Sequence, residues 1–279
     1  MTLGVFFAVL FAALLHAGWN AIIKRGLDRF SSVLLLTQVQ GAIALLLLPW
    51  FAPPHPDSWP WIAAGGLLHA GYNIFLIHAY QHGDLSQIYP LARGTAPLIV
   101  AVASALWLHE AMAPLRVAAI LSIAAGILLM ARRGRDSAPL SPRGLAFALA
   151  TAAFTAAYSM ADGYGARLSL SLSSFTMAAF VLEALLMLAY GFWVRGRRAL
   201  AGVRPALPAG LVAGTMSLGA YWIAIWAFTL APLAMVAALR ETSVLFAMLI
   251  AAFFLKERVG PLRWTAAGLI LAGILLMRL

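Results

Sequence analysis

The most constraining feature of this sequence is an apolar segment of membrane length, residues 85–110, that carries an arginine in its interior. A bilayer-spanning helix needs about 20 predominantly apolar residues, and this segment supplies them with polar residues at both ends. Arg93 lies inside it between two prolines. An arginine near the bilayer centre costs about 2.5–3.5 kcal/mol on insertion scales, so it is retained where it faces a wet cavity or a partner. Residues 233–257 carry Arg240 at the matching place, and the two arginines together predict a transport site.

Apolar segments of this length recur along all 279 residues, of which 63% are hydrophobic and only 10% charged. This composition indicates an all-α integral membrane protein and leaves no stretch for a soluble domain. We attribute the net charge of +10 to loop arginines at lipid headgroups and predict no nucleic-acid partner. The absence of cysteine excludes disulfides, thiolate metal sites and a cysteine nucleophile. The first apolar segment lacks a signal-peptide cleavage site, and we expect it to be retained as a helix.

Ten transmembrane helices are predicted, each bounded by proline, glycine or charge. The longest connection, residues 132–143, is basic and separates five helices in residues 1–131 from five in residues 144–279. The predicted spans are residues 3–23, 32–51, 59–80, 85–108, 114–131, 144–162, 173–194, 206–229, 232–255 and 261–277.

The two halves of the sequence repeat each other. PLRVAAILSIAAGILLM, which begins at Pro114, matches PLRWTAAGLILAGILLM, which begins at Pro261, an offset of 147 residues. The same offset superimposes Arg93 on Arg240 and Glu110 on Glu257. We interpret the two glutamates as structural residues at helix ends. Because five is an odd number, the second half must enter the membrane from the opposite side. Such inverted repeats bind their substrates at the repeat interface near the bilayer midplane.

The basic residues predict the orientation of the chain, since cytoplasmic loops carry an excess of lysine and arginine. Loops that follow odd-numbered helices are rich in them, whereas the other side holds only Arg116, Arg167 and Arg278. We therefore expect both termini outside the cytoplasm. The cytoplasmic set is Lys24, Arg25, Arg29, Arg132, Arg133, Arg135, Arg143, Arg195, Arg197, Arg198, Arg204, Lys256, Arg258 and Arg263.

The first helix carries a polar face. His16, Asn20 and Lys24 are spaced four residues apart and therefore share one side of the helix, with Trp19 next to them. This face would line a pathway, with the Trp19 ring as a stacking wall. The alternative is that His16 and Asn20 bond to neighbouring helices and Lys24 extends to the interface.

The third and fourth helices add further candidates. Tyr72 and Asn73 are polar residues within the third span, where ordinary contacts between helices are the alternative. In the fourth span Tyr89 lies one turn before Arg93, so the two side chains can bracket one ligand. Arg93 itself would bind a carboxylate or phosphate, form a gate with an acid, or neutralise a structural acid.

The sixth, seventh and eighth helices contribute three more predicted residues and one that we set aside. Tyr158 lies on a polar face of the sixth helix, near the repeat position of Trp19, and Tyr221 on the eighth lies near that of Tyr72. Glu183 is in the middle of the seventh span, which makes it a candidate for proton coupling, with a structural arginine pair as the alternative. Asp162 lies beside Gly163, which we interpret as a helix end, and is therefore interpreted as a solvated cap.

Arg240 on the ninth helix needs a partner that its neighbour cannot provide. Glu241 is adjacent in sequence, so the two side chains point about 100° apart. We therefore expect Arg240 to meet Glu183, Asp162 or a ligand anion.

Catalytic motifs are missing from the sequence. His109-Glu110 lacks the second histidine of a zinc-protease motif, and neither a phosphate-binding GxxxxGK nor a serine elbow is present. We predict neither enzymatic activity nor a cofactor or metal.

The fourth and fifth helices, YPLARGTAPLIVAVASALWLHEAMAPLRVAAILSIAAGILLM, and their echo, ALRETSVLFAMLIAAFFLKERVGPLRWTAAGLILAGILLMRL, resemble the EamA-type members of the drug/metabolite transporter superfamily. The resemblance covers essentially the whole chain. It implies a secondary transporter, commonly an exporter of amino acids or other small metabolites. It also implies a central cavity lined by the first, third, fourth, sixth, eighth and ninth helices. Members of the family usually have both termini inside, and the basic loops here depart from that pattern.

The sequence therefore predicts a transporter that exports small organic metabolites such as amino acids across the bacterial inner membrane by alternating access. We expect a monomer or homodimer in contact with membrane lipids. The alternative is a lipid-handling or accessory membrane protein in which a buried arginine meets a lipid phosphate. The predicted substrate site comprises Trp19, Asn20, Tyr72, Asn73, Tyr89, Arg93, Tyr158, Tyr221 and Arg240, with Glu183 as the proton-coupling candidate.

Overall fold

The structure, a computed structural model, describes residues 1–23, 28–82, 85–110, 112–131, 140–201, 203–253, 256 and 259–279. Lys24, Glu257 and residues 132–139 of the predicted linker lie outside these ranges. The described residues are helical, without strands, and form eleven α-helices. These are α1 Leu3–Ile23, α2 Arg29–Leu47, α3 Trp59–Gln81, α4 Leu85–Trp107, α5 Pro114–Met130, α6 Pro142–Leu168, α7 Leu172–Arg195, α8 Val203–Leu230, α9 Leu233–Glu241, α10 Ser243–Phe253 and α11 Pro261–Leu276.

Eight of the helical segments are long and apolar enough to cross a bilayer, when α9 and α10 are taken together as Leu233–Phe253. The helices α5 and α11 are also apolar but shorter, at 17 and 16 residues. The prediction of an all-α multi-pass membrane protein is confirmed.

The ninth predicted span, residues 232–255, is not one continuous helix. It is interrupted at Thr242, whose hydroxyl and backbone N–H both bond to the carbonyl oxygen of Leu239, at 2.6 and 3.2 Å. Thr242 keeps right-handed helical angles, φ −60° and ψ −10°, so the interruption is a local change of hydrogen-bond pattern. Every residue of α9 is buried, and such departures from a regular helix are tolerated where protein surrounds them. Its repeat counterpart α4 runs unbroken through Pro90 and Pro97. The two halves therefore share a sequence pattern but differ in conformation at this helix.

Helices α5 and α11 pack through a reciprocal pair of glycines. A Cβ atom on Gly126 would lie 2.7 Å from the carbonyl oxygen of Ala266, and one on Gly273 would lie 2.8 Å from that of Ala119. Only glycine allows these backbones to approach so closely, as in other helix pairs within bilayers. The 147-residue offset carries Gly126 onto Gly273 and Ala119 onto Ala266, so each contact is the counterpart of the other. Such reciprocity is expected of halves related by a two-fold axis.

Helices of one half pack mainly against helices of the other. The helix α1 contacts α8, α3 contacts α6, and α2 contacts α7. Large buried side chains, including Phe175 and Phe228, fill the core between them. The polar faces that the sequence predicted are thereby directed to the interface between the halves.

An ion pair links Asp28, the residue before α2, to Arg195 at the end of α7. Asp28 accepts hydrogen bonds from both terminal nitrogens of Arg195, at 2.9 and 3.0 Å. These bonds lower the pKa of Asp28 to about 2, below the ordinary value of about 3.9. Since the folded-state pKa is the lower one, the pair stabilises the fold above about pH 4, and this contribution disappears as the pH falls through about 2.

We expect Asp28→Asn to lower the melting temperature of the purified protein by roughly 1–4 °C at pH 7, because an exposed pair contributes up to about 1 kcal/mol. The difference from the wild type should shrink as the pH is lowered from 4 towards 2. Thermal unfolding in detergent across this range measures it. Asp57→Asn is the control, because that carboxylate is 75% exposed and its contact is with His55 at 3.5 Å. A difference that stayed constant down to pH 2 would contradict the assignment.

Candidate functional site

A cavity of about 80 Å³ lies at the interface between the two halves. The resemblance predicted that α1, α3, α4, α6, α8 and α9 would line it, and each of them does. That set is incomplete, because α2 and α7, which contact each other, also line the cavity and contribute Gln40 and Glu183. Of the predicted residues, those that line the cavity are Trp19, Tyr72, Asn73, Arg93, Tyr158, Glu183, Tyr221 and Arg240.

The other two predicted residues, Asn20 and Tyr89, line a neighbouring cavity of about 190 Å³. This second cavity lies between the end of α1 and the beginnings of α2 and α4, and the Trp19 ring borders both cavities. Tyr89 still contacts Arg93, whose guanidinium carbon is 5.6 Å from the centre of the tyrosine ring. Asn20 donates to the carbonyl oxygen of His16 at 2.8 Å, so its amide group is bonded within its own helix.

Arg93 is held by an acid from the other half of the chain. Its Nε lies 2.7 Å from Oε2 of Glu241, and both side chains are at most 3% exposed. Its Nη2 donates to Nε2 of His16 at 2.6 Å, so that ring nitrogen acts as an acceptor. Among the roles left open by the sequence, the geometry therefore favours neutralisation of a buried acid.

Arg240 has a different environment from its repeat counterpart. Its guanidinium carbon is 4.6 Å from the centre of the Tyr221 ring, and the residue is only 7% exposed. The expected pairing with Glu183 or Asp162 is not found, and within the described residues no carboxylate forms an ion pair with Arg240. A buried guanidinium that lines a cavity without a carboxylate partner is suited to bind an anion.

Asp162 is not the solvated helix cap that the sequence predicted. The helix α6 continues to Leu168, and Asp162 is completely buried. Its Oδ2 contacts Nε2 of His69 at 2.8 Å and accepts a hydrogen bond from the Tyr221 hydroxyl at 2.5 Å. The prediction failed because Gly163 was interpreted as a helix end. The glycine instead makes room for Leu233 of α9.

Glu183 is 4% exposed and accepts a hydrogen bond from Nδ2 of Asn73 at 2.7 Å. It makes no ion pair with an arginine in the described part of the chain, so the alternative of a structural arginine pair is not supported. His69 also lines the cavity, and its ring stacks on that of Tyr158 with 4.0 Å between the ring centres. Two buried carboxylates and an imidazole therefore lie together at one side of the cavity.

A polar contact joins helix ends on the side of the bundle opposite the second cavity. Arg167 contacts Glu110 at 3.2 Å and donates to the carbonyl oxygen of Phe228 at 2.9 Å. The other carboxylate oxygen of Glu110 accepts the backbone N–H of Leu233 at 3.0 Å, at the start of α9. Since Glu110 follows the end of α4 and Tyr89 lies near its beginning, the polar contact and the second cavity are at opposite ends of that helix.

A multi-pass helical protein with a polar cavity between two repeated halves belongs to the class of membrane transporters for small molecules. A family model described as "EamA-like transporter family" matches residues 2–132 and again residues 142–279. The chain belongs to this family, which consists of transporters rather than enzymes, and the resemblance seen in the sequence is confirmed.

Comparison with solved structures gives the same fold. A structure titled "Crystal structure of protein" has a TM-score of 0.71 at 18% sequence identity, covering 99% of this chain and 97% of that chain. At this identity the likeness extends to the fold alone. No curated protein matches the chain significantly.

Proposed function

We propose that this chain is a secondary transporter that exports small organic metabolites, amino acids first, across the bacterial inner membrane by alternating access. Its architecture would be ten membrane-crossing helices in two inverted repeats, with both termini outside. The observation that carries the proposal is Arg240, a buried guanidinium in the central cavity with no carboxylate partner in the described part of the chain. In this role Arg240 binds the carboxylate of the substrate.

Amino acids are proposed because the cavity contains groups of both charges. Glu183 lines the same cavity as Arg240, and its carboxylate is complementary to a substrate ammonium group or to a proton. Competition between the two at Glu183 would couple export to proton entry. The rings of Tyr158 and Tyr221 provide apolar walls. Because Trp19 borders both cavities, movement of its ring would join them and provide room for a substrate side chain.

The direction of transport is proposed from the position of the second cavity. The second cavity lies between the end of α1 and the beginning of α2. The connection between these two helices is basic and is predicted to face the cytoplasm. At the other end Arg167 and Glu110 form an ion pair, which we propose as the closed side. An exporter loads its substrate from the cytoplasm, and this conformation is suited to that step.

Uptake into everted membrane vesicles tests the proposed function. Vesicles with this protein and vesicles from the empty vector would receive a panel of labelled amino acids and small metabolites, with and without a protonophore. We expect protein-dependent accumulation that the protonophore abolishes. Accumulation of none of these compounds by correctly inserted protein, together with lipid co-purifying in the cavity, would instead support the lipid-handling alternative.

Cysteine labelling tests the proposed orientation, since the wild-type chain contains no cysteine. Asp57 and Arg198 are exposed positions in connections on opposite sides of the predicted membrane. We expect a membrane-impermeant maleimide added to intact cells to label Asp57→Cys and to leave Arg198→Cys unlabelled until the membrane is opened. The reverse pattern would place both termini in the cytoplasm and contradict the predicted orientation.

A further inference from the structure

We propose that Asp162 and His69 form a proton-binding site, in which a single proton is shared with Glu183. The inference deepens the proposed transport function, because this site would supply the proton that drives export. It also assigns a role to Asp162, which is buried and lies behind the residues that line the cavity.

The first argument is the charge balance of the buried groups. The described residues around the cavity include two arginines, Arg93 and Arg240, and three acids, Asp162, Glu183 and Glu241. If all five were charged and the histidines neutral, the region would carry one uncompensated negative charge. An uncompensated charge in a low-dielectric interior is costly, and one proton removes it.

The second argument is the geometry of Asp162, which identifies where the proton binds. Oδ2 already contacts two groups, His69 and Tyr221. Oδ1 is buried and receives no hydrogen bond from the described residues. It lies against Gly65, where an added Cβ would be only 2.5 Å from the oxygen. A buried carboxylate oxygen without a donor is an unfavourable place for charge. A proton on Oδ2, the oxygen that His69 contacts, makes the carboxyl group neutral and leaves Oδ1 an uncharged carbonyl oxygen.

The third argument is a route between the buried carboxylate and the cavity. The His69 ring lines the cavity, and its Nε2 contacts Asp162. The imidazole can take up a proton at its other ring nitrogen and release the Nε2 proton to Asp162, so that the ring is neutral before and after the transfer. In the reverse direction the same proton returns to the cavity, where Glu183 accepts it.

Several charged or titratable groups surround this pair and set the context for its titration. Like charges that lie close together titrate as a coupled set rather than as independent residues, so removal of either Asp162 or Glu183 leaves two acids for two arginines and should release the shared proton. The groups on the helices that pack around α6 are Glu183 of α7, Tyr221 of α8, Arg240 and Glu241 of α9, Arg93 of α4, and Tyr158 of α6 itself.

Infrared titration of purified protein tests the site without requiring a substrate. The carbonyl stretch of a protonated carboxylic acid would be followed against pH in the wild type, Glu183→Gln, Asp162→Asn and the double variant, with carbon-13-labelled aspartate as the assignment probe. We expect the wild type to contain one buried protonated carboxyl, part of whose absorbance shifts with labelled aspartate. Each single variant leaves two buried acids for two arginines and should lose this absorbance, as should the double variant. Asp57→Asn, which removes an exposed acid, should change neither the absorbance nor its isotope shift.

Wild-type absorbance that labelled aspartate does not shift would overturn the proposal, because the proton would then belong to Glu183 alone. Should Asp162→Asn fail to fold, the isotope shift in the wild type still decides between the two residues. Substrate exchange in vesicles without a pH gradient measures transport independently of the proton site. A positive infrared result with no transport of the panel would place the failure in the proposed function, not in the proton site.

Discussion

Arg240→Ala is expected to raise the substrate concentration that half-saturates transport by roughly 10- to 150-fold. A hydrogen bond to a charged group contributes about 1.5–3 kcal/mol, and each 1.4 kcal/mol is a factor of ten in affinity. Within the described residues no carboxylate forms an ion pair with Arg240, so its removal breaks no ion pair. A second proton on Asp162 or Glu183 would restore the charge balance of the buried groups, and we therefore expect the variant to fold. Uptake into everted vesicles at varied concentrations of a transported amino acid measures the effect.

Arg240→Lys is the matched variant, since it keeps the charge but loses the planar, bidentate geometry that fits a carboxylate. We expect it to fall between the wild type and Arg240→Ala. Wild-type transport by a correctly folded Arg240→Ala protein would remove this residue from the substrate site.

Arg93→Ala is expected to destabilise the fold by about 3–5 kcal/mol, the cost of leaving a buried charge without its partner. The unpaired charge would be that of Glu241, whose Oε2 lies 2.7 Å from Nε of Arg93. The double variant Arg93→Met with Glu241→Leu removes both charges and should recover most of this loss, because apolar replacement of a complete buried pair is often neutral or stabilising. Thermal or chemical unfolding of the purified proteins in detergent measures the difference.

The two arginines should thus separate in their effects, although the repeat makes them equivalent in sequence. Substitution of Arg93 affects stability first, and substitution of Arg240 affects substrate affinity first. If the double variant were as unstable as Arg93→Ala, the pairing with Glu241 would not account for the role of Arg93.

Much of the fold could be predicted because membrane helices are recognised from the length of apolar segments and from the prolines and glycines that bound them. The repeat also predicted that Arg93 and Arg240 would approach a common centre, and both line the central cavity. These inferences depend only on local composition and on correspondence between the halves.

The pairing of the buried charges could not be predicted in the same way. The partner of Arg93 is Glu241 of the opposite half, and no spacing along the sequence indicates such a contact. The depth of Asp162 was also misjudged, because Gly163 has the sequence pattern of a helix end but serves for close packing against Leu233. A glycine in a membrane helix can mark the end of the helix or allow close packing, and only the position of the neighbouring helix distinguishes the two.

The break at Thr242 bears on how the transporter would change state. The residue that corresponds to it in the first half is Thr95, and α4 passes through that position without interruption. In a carrier whose halves exchange conformations, the opposite-facing state would have α4 broken near Thr95 and a continuous helix through Thr242. Pro97, which cannot donate to the carbonyl oxygen four residues before it, already weakens α4 beside that position. The hydrogen bond from Thr242 to Leu239 would then return to the regular α-helical pattern in one half while the corresponding bond near Thr95 changes in the opposite sense, so the number of helical hydrogen bonds stays nearly constant through the cycle.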